Sequence, residues 1–141
     1  MTRILATISL LGLVLVWGVA CAQTPGVSPT DYVGLVEALR DEGVTAEPAG
    51  MVSQPFFSVE GQAITVNGEQ VQVFEFADAA AAEAAAALVS EDGSAVGTNM
   101  ISWIAPPHFY QHGRLVVLYV GDQTAIQSAL ESVLGEQFAG R

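Results

Sequence analysis

Hydrophobic and polar positions change period several times along this chain, and each change marks an element. Tyr32, Leu35, Val36 and Leu39 recur at helical spacing, which predicts a helix with one buried face. Ser28-Pro29-Thr30-Asp31 supplies its start. Ser28 can cap, Pro29 suits the first turn, and Asp31 stands where a capping carboxylate belongs. The helix is expected to run to about Glu42, with Gly43 as its stop.

The period then shortens to two. Val44–Ala46 reads as a short strand. Met51–Val59 is extended but broken by Pro55, so it belongs at a sheet edge or in a loop. Ala63–Val66 and Glu69–Phe76 flank Asn67-Gly68, a strong hairpin signal because a type I′ turn needs positive φ at both central residues. On the second strand Val71 and Val73 point one way and Phe74 and Phe76 the other. Either both faces of the sheet are covered or a bulge shifts the register.

Asp78 is the expected cap of a second, alanine-rich helix over Ala79–Val89. Alanine forms helices well, and its small side chain lets a helix lie close on a sheet. Thr98–Ala105 reads as the next strand, with Ile101 and Trp103 on one face and Met100, Ser102 and Ile104 on the other. Pro106-Pro107 ends it, His108–Gln111 is extended, and His112-Gly113 turns the chain. Arg114–Val120 is apolar on both faces, which places it centrally in a sheet. Asp122 is the expected cap of a third helix, whose Ile126, Ala129, Leu130, Val133 and Leu134 keep a core-facing pattern. Gly135 ends it, and 136–141 reads as a short tail.

These elements predict an α+β fold: a mainly antiparallel sheet of about five strands with three helices packed largely on one face. The order helix-hairpin-helix-hairpin-helix fits a ferredoxin-like arrangement or a tandem helix-hairpin one. The ferredoxin-like layout is the closer template; a weak repetition, Pro55-Phe56-Phe57 and later Pro107-His108-Phe109-Tyr110, each followed by a turn, a strand, an Asp and a helix, is what the tandem alternative rests on.

The N-terminal run changes the picture of where the domain works. Met1–Arg3 is a short positive segment, Ile4–Ala20 is apolar, and small residues follow. That is a secretory signal pattern, outside the fold. Cys21, the only cysteine, cannot staple its own chain. It ends the string Gly18-Val19-Ala20-Cys21. This leader resembles that of bacterial lipoproteins, whose lipobox places a small residue before the cysteine that is diacylated and becomes the new N-terminus. Val19, Ala20 and Cys21 fit, while Gly18 stands where that family usually has Leu.

The resemblance implies a signal peptide over 1–20, a lipidated N-terminus and tether over 21–30, and one α+β domain over 31–141. It implies a protein held at the cell membrane by lipid, on its extracytoplasmic side. Ala20-Cys21-Ala22 is also an ordinary cleavage site, which would release a secreted protein. An uncleaved leader would be a short membrane anchor. In size, layout and anchoring the mature chain is similar to small domains carried by many bacterial lipoproteins, a likeness that implies no activity.

Charge excludes one function class. Four arginines stand against 15 acidic residues, a net of -11. Nucleic-acid binding needs clustered cations, and none cluster here. Anionic lipid would likewise repel the domain.

Candidate chemistry gathers between Met100 and Gly121. His108 and His112 are four residues apart. On a strand they share a face but stand about 13 Å apart, too far for one metal to join. Trp103, Phe109, Tyr110 and Tyr119 form an aromatic set around Pro106-Pro107. Core packing accounts for it; the functional alternative is a partner-binding surface of Trp103, His108, Phe109 and Tyr110. No nucleophile elbow, calcium loop or phosphate loop is present, so neither a catalytic site nor a cofactor is expected. The expected role is a protein-binding or scaffolding module of the envelope. The alternative is small-ligand or metal handling through His108 and His112.

Overall fold

A computed structural model describes residues 28–140. The leader and Cys21 lie outside the described residues. The order is α1 (Tyr32–Asp41), β1 (Ala46–Val52), β2 (Gly61–Val66), β3 (Glu69–Glu75), α2 (Ala79–Ala86), β4 (Ala95–Val96), β5 (Asn99–Met100), β6 (Pro107–His112), β7 (Leu115–Val120), α3 (Thr124–Leu134) and β8 (Ala139–Gly140). The protein is α+β. Six strands form one antiparallel sheet in the order β1-β2-β3-β7-β6-β8, and β4 and β5 form a separate small hairpin.

Local chemistry sets most of these elements. Asp31, not Ser28, caps α1: its carboxylate accepts from the Gly34 N–H at 2.8 Å. Gly43, at φ 84°, turns the chain out of the helix. Asn67 and Gly68 have φ of 48° and 86°, as a type I′ turn between β2 and β3 requires. Asp78 caps α2 through the Ala81 N–H at 2.8 Å. Asp122 does not cap α3. The N-cap is Gln123, without a side-chain bond, and its N–H donates instead to the Tyr119 hydroxyl at 3.0 Å.

β7 lies between β3 and β6, as its two apolar faces predict. Leu115, Val117 and Tyr119 pack with α1 and α3, together with Val71, Val73 and Tyr110. Val116 and Leu118 pack on the α2 side with Phe57, Phe74, Phe76 and Phe109. The opposed valines and phenylalanines of β3 are therefore explained by two covered faces. The expectation of helices largely on one face is corrected: α1 and α3 take one side and α2 the other.

That split also removes both templates. The segment Thr98–Ala105, needed as a sheet strand by a ferredoxin-like layout, contributes only Asn99–Met100, and these pair with β4 outside the main sheet. The strand beside β7 is instead β6. A tandem duplication would relate β3 to its antiparallel neighbour β7 by a rotation that keeps the sheet face, so the helices after them should share a side. They do not.

The edges differ from expectation as well. β1 is one continuous edge strand with a register shift between Pro48 and Met51. A proline there removes no ladder bond that the sheet needs. The tail returns as β8, pairing Ala139 with Phe109 and Gly140 with His108. Gly140 has φ 93°, and a Cβ there would stand 1.9 Å from the Pro107 carbonyl oxygen, so only glycine fits.

Candidate functional site

The candidate residues sit on β6 and the loop before it. β6 alternates, so its neighbours in sequence go to opposite sides. Phe109 is fully buried on the α2 side, where its ring meets Trp103 at 6.0 Å and Phe138 at 6.1 Å. Tyr110 is fully buried on the α1/α3 side. His108 shares that side and is 4% exposed. Trp103 is half-buried on the α2 side and donates from Nε1 to the Gly93 carbonyl at 2.7 Å. The four residues expected as one binding surface are thus split across the sheet, and three of them are core. The physical reason is that β6 has a strand on each side and packed layers above and below.

His108 closes a polar group at one end of the sheet. Its Nδ1 lies 2.7 Å from Gln137 Oε1 and its Nε2 3.0 Å from the Gly121 carbonyl oxygen. Gln137 Nε2 donates to the Gly140 carbonyl at 3.0 Å. The imidazole, with an oxygen beside each nitrogen, thus stands between the residues leading into β8 and the end of β7. Its ring stacks on Tyr119, 5.8 Å away and directly across the ladder. The Tyr119 hydroxyl donates to Glu69. Burial and that bond push the Tyr119 hydroxyl up to about 12. The bonds from Tyr119 and Gln123 hold the Glu69 carboxyl below its usual range. Gly121 makes room for this pair, since a Cβ would stand 2.3 Å from the Tyr119 hydroxyl.

His112 ends β6 at the other end of the sheet, four residues and about 13 Å from His108. It borders an open cleft of about 370 Å³ that is also lined by Ser28, Pro29, Thr30, Ala79, Gly113 and Arg114. Arg114 holds the incoming chain here. Its Nε donates to the Thr30 carbonyl at 3.1 Å, and one of its terminal nitrogens lies 2.6 Å from Glu75. Glu75 in turn accepts from the Tyr32 N–H at 3.0 Å. The arginine charge is therefore matched, and the group works as a clamp on the domain's first residues. Among the described residues no three His, Cys, Asp or Glu side chains gather as a metal site. Among them, too, no helix is long and apolar enough to cross a membrane.

Sequence reasoning missed what the loop before β6 exposes. Met100 and Ile104 are 89% and 100% exposed, while Ile101 and Trp103 turn into the α2-side core. The alternation at 100–104 carries this signal, but the same alternation fits a sheet strand with two faces.

The chain matches no protein-family model, no curated protein and no solved structure.

Proposed function

We propose that this protein is a lipid-anchored domain of the cell envelope, held to the membrane through Cys21, that binds or positions another protein. The observation that carries the reading is the sole cysteine, placed at the end of an apolar leader in Gly18-Val19-Ala20-Cys21. Two acyl chains on one residue anchor stably where one is marginal. The arrangement of the domain's start suits this role. Pro29 is buried and Thr30 and Tyr32 are bonded to the Arg114–Glu75 pair, so the fold grips the last residues of the tether segment itself. The domain's acidity agrees with anchoring by lipid and not by charge.

The test is intact-mass measurement of the membrane-purified protein, with metabolic labelling by a palmitate analogue. The expected product begins at Cys21, carries lipid and incorporates label. Cys21→Ser should abolish both and move the protein out of the membrane fraction. A mature chain beginning at Gln23 without lipid would overturn the anchor.

A further inference from the structure

The loop between β5 and β6 is fixed from within. The Ile101 N–H donates to the Ser94 carbonyl at 2.8 Å, and Trp103 Nε1 donates to Gly93. The Pro106 carbonyl accepts from the Gly121 N–H at 3.0 Å, and Pro106-Pro107 stiffens the exit. Inward residues alternate with outward ones, so Met100 and Ile104 are held in water by a framework that cannot turn them in. Single exposed aliphatic side chains are common and need no explanation. Here two large ones stand at the end of β5 and on the pinned loop after it, and they are the most exposed of the large apolar residues described.

The sheet register says where this loop lies. Tyr119 pairs with both Val71 and His108, and Val66 pairs with both Glu69 and Ala46. The Pro106 end of β6 therefore shares one end of the sheet with the Asn67-Gly68 turn, the start of β1 and Gly121. Thr30 and Arg114 are at the opposite end, one six-residue strand away, or about 20 Å. In a domain tethered through its N-terminal segment the loop is at the end remote from the tether, and the acidic groups around it repel anionic lipid.

Charge narrows the choice further. Exposed Asp41, Glu42, Glu47, Glu91, Asp92 and Asp122 lie at or beside this end. The one described cation there, Arg40, is turned to the Ala46 carbonyl at 2.8 Å. A second copy would bring the same acidic surface and be repelled. We infer that the Met100–Pro106 loop is the docking surface of the anchored domain, and that it takes a basic polypeptide segment whose apolar side chains cover Met100 and Ile104. The orientation rests on the lipid-anchor reading; the surface and its charge do not.

Methionine methyl NMR tests this on the full-length protein in discs of zwitterionic lipid, with empty discs in parallel. The chain has 3 methionines: Met1, Met51 and Met100. Met51 is 65% exposed on the β1 edge and serves as the internal control. The probe is a Lys-rich peptide carrying two leucines, beside a Glu-for-Lys counterpart. The Met100 signal should move and saturate while Met51 stays. Ile104→Ser, a change at a fully exposed site, should weaken binding by about tenfold or more. The Glu peptide should not bind.

Met51 and Met100 moving together, or unchanged affinity in Ile104→Ser, would mean diffuse attraction to an acidic surface and would overturn the proposal. Absence of binding by the Lys peptide, or equal binding of the Glu peptide, would overturn it as well. The number of signals reads the leader separately. Three with the Met100 response intact would remove the lipidated N-terminus and leave the docking surface standing.

Discussion

Replacing Tyr110 with Phe should make this protein more stable. Tyr110 is fully buried, and its hydroxyl has no hydrogen-bond partner among the described residues. A hydroxyl taken out of water without a partner costs about 1–3 kcal/mol in proteins. Tyr110→Phe keeps the ring and its packing against the α1/α3 side, and removes only the oxygen. Part of the gain is lost to the small void left behind, so the net expectation is about 1 kcal/mol. In urea the midpoint should rise by roughly 0.5 M at unchanged slope. The effect should grow in alkali. Burial, with a smaller contribution from the Glu131 charge, pushes the Tyr110 hydroxyl up to about 12 from 10.0. The unfolded chain ionises first, so the fold is fully favoured below about pH 10 and loses stability as pH rises towards about 12. Two pKa units correspond to roughly 3 kcal/mol, and Tyr110→Phe escapes that loss. Tyr119→Phe is the opposite control, because it removes the donor to Glu69 and the acceptor of the Gln123 N–H; its midpoint should fall. A midpoint lowered by Tyr110→Phe at neutral pH would refute the reasoning, since it would mean the hydroxyl is satisfied in solution.

Other expectations follow from single contacts. Gly121→Ala places a methyl 2.3 Å from the Tyr119 hydroxyl, whose ring is fixed in the core, and should cost about 1–3 kcal/mol by chemical denaturation. Asp78→Ala should cost about 1 kcal/mol through loss of the α2 cap, with earlier exchange of the Ala81 amide as the local readout. Asp92 is held at about 2 by bonds from the Ser94 N–H and from the Ser90 and Ser94 hydroxyls. That contribution is present above about pH 4 and is lost as pH falls towards about 2. Asp92→Asn should therefore flatten that part of the acid unfolding curve.

The turn at Asn67-Gly68, the stop at Gly43, the cap at Asp78 and the buried stripes of α1 and α3 were all legible in the sequence. Each is decided by a few adjacent residues, through allowed φ, side-chain reach or helical period. The central place of β7 was legible for a related reason: a strand apolar on both faces has to be covered on both. The misread elements depend on partners distant in the chain. Ala139 and Gly140 become a strand only because β6 offers them a ladder. Asp122 loses the cap of α3 to Gln123, whose N–H is met by the Tyr119 hydroxyl.

The candidate site divides in the same way. The sequence showed that His108 and His112 on a strand could not share a metal, and that the aromatic set had a sufficient explanation as core. Which side each aromatic takes, and that His108 has an oxygen of Gln137 and of Gly121 beside its two nitrogens, depended on register and on the returning tail. By itself the sequence determined element types, turn chemistry, net charge and the single cysteine after an apolar run, because these are local or additive. The tertiary structure alone decided that α2 crosses to the other face, that the Tyr110 hydroxyl has no partner among the described residues, and that Met100 and Ile104 stand in water at the end of the sheet opposite Thr30 and Arg114, because each depends on which distant strands pair and in what register.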